Sequence, residues 1–470
     1  MAEREPNSSL RMRTVVLLTL IAFGSFIGGC SGSSPAVTST DVTGESTPAP
    51  RVSATEPTQL STPQTPVQPT ESIAGQNGGG VFSGDTIKIG VDLPTSSGED
   101  IIAVRNAVQL AIEQANNSGG VVIAGSAYKL DMYALDDQGD PDLGAKNAQE
   151  LVADPAVLAV VGPYNSLVAT VQMPIFNRAD LSNISPSNTA PDLTQPEFGE
   201  IQDLRPTGKL TYFRVVAPDS LQPPAGADYM YDKLHARKIY VLDDTGEHGK
   251  AFADIVIRRF REDGGTVLGH ESLPSDAQNY QTILKRIMAT KPDALYYGGG
   301  DVAAIRPGLI RKQMADMGFN IPFVGPADLI TPGFLEDAGT PAQGIYGTIP
   351  GANAPVLPTA QQFVTDFKTR FGTQLTADFG TQLTTKGGYL YTPFAYDAAN
   401  IIIAAMKRAQ ALDRESVRQQ IAATKDYPGV LGATSFDENG DTTVRWVSIY
   451  KVVNGAWTWF DQINYQGTLP

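Results

Sequence analysis

At 470 residues the chain is too long for one hydrophobic core, and usual domain sizes predict two globular domains plus extra segments. A net charge of −15 excludes a surface built to neutralise phosphates, so nucleic acid is not expected as a partner. The 41% hydrophobic content fits substantial cores, and the acidic residues are spread along the chain, not gathered in a tail.

Residues 1–29 begin with Arg11 and Arg13 ahead of "TVVLLTLIAFGSFIGG", an apolar run of signal-peptide length that is too short and too glycine-rich for a permanent span. Cys30 follows directly. The stretch Ile27-Gly28-Gly29-Cys30 resembles the bacterial lipoprotein cleavage box, so Cys30 is the expected lipidation site and the chain is expected to be extracytoplasmic and lipid-anchored. With one cysteine in the chain, neither an internal disulfide nor a metal–thiolate cluster is expected. Residues 30–84 are rich in Ser, Thr, Pro, Gln and Gly and nearly lack large apolar groups, which predicts a linker without a core.

From about Asp85 strands and helices alternate. "TIKIGVDL" (86–93) reads as a buried strand and "EDIIAVRNAVQLAIEQANNSGG" (99–120) as an amphipathic helix ending in glycines. "YKLDMYALDD", "VLAVVGP" and "LSNI" are further strands, with helices at "DLGAKNAQELVAD" and "SLVATVQMPIFNRA" between them. After "TYFRVVAP" the alternation restarts with "RKIYVLDD", "TVLGHESL" and "DALYYGGG" as strands. Helices are expected over 249–265, 280–290 and 302–318, then a helix over 393–410 and a final strand pair, "RWVSIYKVV" and "AWTWFDQIN". This pattern predicts an α/β protein with two Rossmann-like lobes, each a mostly parallel sheet flanked by helices. "FGTQLT" occurs at 371–376 and again at 379–384, which reads as a local duplication.

Ligands of open α/β sheets sit beyond the carboxyl ends of the strands. Three such ends carry polar groups. In "VVGPYNSLVA" (160–169), Asn165 or Ser166 is suited to cap the next helix, whose N-terminus could hold a carboxylate. In "ISPSNTAP" (184–191), two prolines stiffen a run offering the groups of Ser187, Asn188 and Thr189. In "FVGPADLITPGFLEDAG", Asp328 lies just past a strand, while "DDTGEHG" and "YYGGGD" bring His248 and Asp301 to the same edge. Hydroxyls and amides on one side and acids on the other suit a zwitterion.

The motifs "IKIGVDLPTSSG", "AVVGPYNS", "ISPSNTAPDLT", "FRVVAPDSLQ", "YVLDDTGEHGKAFA", "YYGGG", "GPADLITPGFLEDAG" and "GATSFDENGD" follow one another in an order and spacing that resemble one family. It is the leucine/isoleucine/valine-binding family of ABC-transporter substrate-binding proteins, with the type I periplasmic-binding fold. The resemblance implies a three-segment hinge, with residues 85–217 and 348–436 in lobe 1 and 218–347 and 437–470 in lobe 2. It implies that Ser166 and Thr189 hold a ligand carboxylate. The Ser187 carbonyl, the Thr189 hydroxyl and an acid of lobe 2, Asp328, would hold the ammonium. By the same resemblance Tyr164 and Asn165 would border the side-chain pocket, and Tyr391 would cover it. His248 and Gly300 stand where the best-known members have tyrosines, which leaves the side-chain preference open. The partners implied are a small-molecule ligand and the membrane subunits of an ABC permease, with no cofactor or metal. A sensor of amides or other small molecules on the same fold is the alternative. An exported hydrolase is a weaker one, since none of the three histidines lies beside an obvious nucleophile.

Overall fold

The structure, a computed structural model, describes residues 84–274, 277–299, 305–372 and 387–467. The expected leader, Cys30, the expected linker up to Ser83, Gly300, Asp301 and the FGTQLT copies beyond Gly372 lie outside the described residues. None of the described helices is long and apolar enough to cross a membrane.

The first sheet contains β1 (Thr86–Asp92), β2 (Val121–Ile123), β3 (Ser126–Leu135), β4 (Val157–Val161), β5 (Ser182–Ser185) and β6 (Tyr212–Arg214). Its order is β2-β3-β1-β4-β5-β6, parallel except for β2 at the edge. All five residues of β4 are buried, as expected of a strand covered on both faces. The helices between the strands are α1 (Glu99–Asn117), α2 (Pro141–Ala153) and α3 (Ser166–Arg178). On α1, Ile101, Val104, Val108, Ile112 and Ala115 form a buried stripe at helical spacing. That stripe belongs to a core shared with the helix Thr392–Arg408, so a late segment of the chain completes the first layer system. The start of α2 is fixed by Asp140, whose carboxylate accepts the N–H groups of Asp142 and Leu143, with Pro141 opening the helix.

The second sheet begins with β7 (Lys238–Asp243), β8 (Thr266–Ser272), β9 (Ala294–Gly298), β10 (Phe323–Gly325) and β11 (Tyr346–Pro350). A small hairpin, β12 (Tyr427–Gly429) with β13 (Gly432–Thr434), precedes β14 (Trp446–Val453) and β15 (Ala456–Asn464). The last two strands return to the second sheet, giving the order β15-β14-β11-β10-β9-β7-β8. The molecule is therefore a two-lobed α/β fold with parallel-dominated sheets flanked by helices. The helix expected over 302–318 spans Pro307–Asp316 in the structure, because Pro307 takes the first helical position; residues 302–304 lie outside the described residues.

The chain passes between the sheets after β6, after β11 and before β14. One passage is clamped by a buried ion pair. Arg214 at the end of β6 is fully buried, and its Nε lies 2.6 Å from Oδ1 of Asp441, which is 2% exposed. The same guanidinium donates from Nη1 to the carbonyls of Asn188 and Ala190 and from Nη2 to Thr194 Oγ1. Residues 436–442 are thereby held beside β6, where Arg214 and Asp441 also form a strand bridge.

Two further buried carboxyls have no cation as a partner among the described residues. Burial raises Asp92, at the end of β1, to about 7, against hydrogen bonds from Asn147 and Gln172, and nearby Asp137 adds to the rise. Burial raises Asp397 to about 7 as well, although it accepts the N–H groups of Val430 and Leu431. The folded protein therefore binds protons here that the unfolded chain has released. Each group costs stability as pH rises from about 4, the ordinary carboxyl value, towards its folded value near 7. We expect the urea midpoint to be higher at pH 5.5 than at pH 8. Asp92→Asn should flatten that slope, whatever it does to baseline stability. An unchanged slope would refute the assignment.

Candidate functional site

The strand ends of the first sheet are laced together by the small polar groups of 182–189. Asn183 Nδ2 donates to the Gly162 carbonyl, and Ser185 Oγ donates to that of Pro163 at 2.8 Å. Ser187 Oγ and Asn188 Nδ2 both donate to the carbonyl of Tyr164, at 2.9 and 2.8 Å. The stretch between Pro186 and Pro191 thus builds the wall that presents Tyr164, Asn165 and Ser166. Asn188 turns inward: it is fully buried, its Oδ1 accepts from the Tyr212 hydroxyl, and its carbonyl accepts from Arg214. Its side chain is part of the scaffold, in place of the ligand contact expected from sequence. The hydroxyl of Ser187 is similarly engaged.

Asn165 occupies the cap position of α3, one of the two positions expected, although its side chain makes no cap bond, and Ser166 is the first helical residue. Ser166 Oγ accepts the N–H of Ala190 at 3.4 Å, which brings the α3 terminus against the Thr189 turn. A helix start left open in this way favours negative charge.

Thr189 leads to a residue that sequence reasoning missed. Its hydroxyl donates to Oδ2 of Asp219 at 2.8 Å, and its carbonyl accepts the Asp219 N–H at 2.7 Å. Asp219 Oδ1 accepts from Gln222 Nε2 at 2.6 Å. Gln222 Oε1 in turn accepts the N–H of Ala327 at 2.8 Å and the Thr348 hydroxyl at 3.2 Å. One chain of hydrogen bonds therefore runs from the first-sheet wall, across the passage after β6, to the loop that carries Asp328. The available signal was position: "APDSLQ" lies directly beyond the carboxyl end of β6, where the strand-end rule directs attention.

On the far wall, Asp328 lies in the turn Ala327–Leu329, and the cap of the next helix is Thr331, whose hydroxyl accepts the Phe334 N–H. Asp328 Oδ2 is 3.9 Å from His248 Nε2, and both side chains are about half exposed, at 53% and 52%. The His248 ring packs on Phe252 with centroids 4.0 Å apart. Crowding by the cleft walls raises the Asp328 carboxyl; a charged His248 opposes the rise and Asp244 adds to it. Asp219 is also raised, chiefly by burial and further by the charge of Asp328, while Thr189, His248 and Gln222 pull it down. Asp219, Asp328 and His248 thus share one electrostatic neighbourhood. Tyr391 stands at its border, edge-on to Tyr164 with centroids 5.7 Å apart, and its phenol is raised by burial and by the charge of Asp219. Of the sequence-predicted set, Ser166, Thr189, Asp328 and His248 are brought together with Tyr164 and Tyr391 beside them. Gly300 and Asp301 lie outside the described residues. Among the described residues no group of three His, Cys, Asp or Glu side chains is placed to hold a metal ion.

Two parallel-dominated lobes whose polar strand ends meet across three chain passages define a two-lobed solute-binding fold. The chain belongs to the periplasmic binding protein family, which matches residues 86–456. It is 26% identical over 351 residues to the Leu/Ile/Val-binding protein BraC3 of Rhizobium johnstonii, covering 74% of this chain and 86% of that protein. It is 24% identical over 327 residues to an amino acid binding protein of Pseudomonas aeruginosa, covering 68% of this chain and 78% of the relative. Among solved structures, the leucine binding protein LivK of Thermotoga maritima superposes with a TM-score of 0.54 at 25% identity, covering 80% of this chain and 99% of that one. An ABC transporter substrate-binding protein of Desulfitobacterium hafniense, in complex with Leu, gives 0.61 at 21% identity, with 80% and 100% covered, and bears on the fold alone.

Proposed function

We propose that the protein is the extracytoplasmic solute-binding component of an ABC importer and takes a branched-chain or related amino acid between its lobes. The observation that carries this reading is the hydrogen-bond chain from Thr189 through Asp219 and Gln222 to Ala327, ending beside Asp328. A buried zwitterion needs both its charges answered, or desolvation defeats binding. The α3 terminus with Ser166 and the Thr189 N–H answers the carboxylate. Asp219 and Asp328, with the Ser187 carbonyl, answer the ammonium. Because the answering groups come from both walls, the ligand favours the closed arrangement and shifts a hinge equilibrium towards it. The moving bodies in this proposal are 85–217 with 348–436 and 218–347 with 437–470. The closed, loaded form is the one a membrane permease would engage, with Cys30 lipidated and residues 30–84 as the tether.

Calorimetry with leucine, isoleucine and valine tests it. Asp328→Ala is expected to weaken binding at least ~10-fold, about 1.4 kcal/mol, and Thr189→Ala at least as much. Unchanged affinity in both variants would refute the paired-wall reading.

A further inference from the structure

Gln222 is the residue through which the acid of one wall meets the loop of the other. It is 1% exposed and opens the short helix Gln222–Asp228, directly after the passage that follows β6. Gly226, one turn further on, has no side chain, and a Cβ there would come within 3.3 Å of the Tyr296 ring on β9. The helix therefore lies flush against the second sheet, and Gln222 reaches Thr348 on β11 and the backbone of Ala327. Its amide also reaches back to Asp219, three residues earlier in the chain.

Chemistry fixes the polarity of these contacts. The Ala327 N–H can only donate, so the amide oxygen of Gln222 must face it, at 2.8 Å. The amide NH2 is then turned to Asp219 Oδ1, at 2.6 Å, and that oxygen must accept. A flipped amide would set donor against donor at Ala327 and oxygen against carboxylate at Asp219. With the Thr189 hydroxyl donating to Oδ2, both carboxylate oxygens of Asp219 take up neutral donors. Such bonds stabilise a negative charge without cancelling it, which leaves the charge for a cation. The charged and titratable groups facing Asp219 are Asp328 and His248 from the opposite wall, Arg214 on β6 and the phenol of Tyr391. Arg214 is committed to Asp441 and to the carbonyls of Asn188 and Ala190.

We infer that Gln222 is a positioning residue of the binding site: its amide holds Asp219 ready to accept the ligand ammonium and fastens that acid to the loop carrying Asp328. This rests on the amino-acid reading above and deepens it. Plain support of the fold at a chain passage is the competing role, and it predicts a different pH behaviour. Donation from Gln222 is one of the contacts that pull the raised Asp219 carboxyl down. Without it, the empty site keeps a proton up to a higher pH, and an arriving ammonium must expel that proton. A residue that only supports the fold would weaken binding by the same factor at every pH.

The test is calorimetry with leucine, isoleucine and valine between about pH 5.5 and pH 8. Gln222→Glu keeps the length and the oxygen facing Ala327 but sets a second carboxyl beside Asp219, so the pair shares a proton. It is expected to bind at least ~10-fold more weakly at the acid end, with the loss shrinking as pH rises. Gln222→Met, which removes both polar groups at similar length, should also bind at least ~10-fold more weakly and show its loss most strongly at the acid end. A loss of the same factor at every pH in both variants, or native affinity in both, would overturn the inference and leave the amino-acid reading standing. Binding of none of the three ligands by the unmodified protein would overturn that reading and this one with it.

Discussion

Asp219→Ala is expected to lower amino-acid affinity by ~100-fold or more, a larger loss than at any other position of the candidate site. Truncating one member of a desolvated, hydrogen-bonded charge pair typically costs ~2–5 kcal/mol. Asp219 combines three conditions that place it in that class. It is the acid that the Thr189 hydroxyl meets at 2.8 Å. Gln222 holds its other oxygen and relays the contact to the opposite loop. Burial and the neighbouring Asp328 charge raise it, so a cation is welcome beside it. The last point gives a second, independent readout. Without ligand, the raised carboxyl carries more proton than an ordinary aspartate at the same pH, and an arriving ammonium expels that proton. Affinity should therefore strengthen as pH rises through the raised value, with proton release measurable as a buffer-dependent heat. Asp219→Asn, which keeps the shape and loses the charge, should bind at least ~30-fold more weakly and show a reduced pH dependence. Near-native affinity in a folded Asp219→Asn protein would remove Asp219 from the ammonium site.

Much of this architecture is legible in the residues, because the signals are local. The stripe on α1 has helical period and a glycine stop, and "VLAVV" reads as a strand buried on both faces. The final pair β14–β15 also shows itself as two β-rich runs around Asn454-Gly455. What the sequence hides is what distant partners decide. The strand "YGTIP" carries a glycine and a proline, and its place in the sheet comes from pairing with β14 about a hundred residues later. Asn188 looks exposed between two prolines, yet its amide is taken up by Tyr164 and Tyr212, which reach it only in the folded state. Asp219 was passed over because nothing within "APDSLQ" distinguishes it from an ordinary turn. Its importance comes from Thr189, thirty residues earlier, and from the Gln222 relay. Pro307 as the first residue of its helix was readable and marks where a longer helix was expected.

Arg214→Met is expected to be the most damaging single change for stability, with a loss of ~3–5 kcal/mol in unfolding free energy measured by urea denaturation. The expectation does not come from the ion pair being intrinsically strong, since two buried charges start with a large desolvation cost. It comes from what remains when one is removed. Asp441, 2% exposed, would keep its charge with only Thr194 and Gln195 left to donate to its side chain, at 3.1 and 3.3 Å. The carbonyls of Asn188 and Ala190 would lose the Nη1 donor they share. Those carbonyls flank Thr189, so ligand affinity should fall together with stability, a link that an ordinary core defect far from the site would not produce. Arg214→Lys should recover only part of the loss, because an ammonium cannot meet Asp441 and two carbonyls with one planar fork. Replacing both partners, Arg214→Met with Asp441→Leu, should be less destabilising than either single change, because no unpaired charge is left behind. If the double variant were as unstable as the two single losses added together, the buried pair would not be coupled. The wall around Thr189 would then have to owe its shape to the serine and asparagine lacing alone.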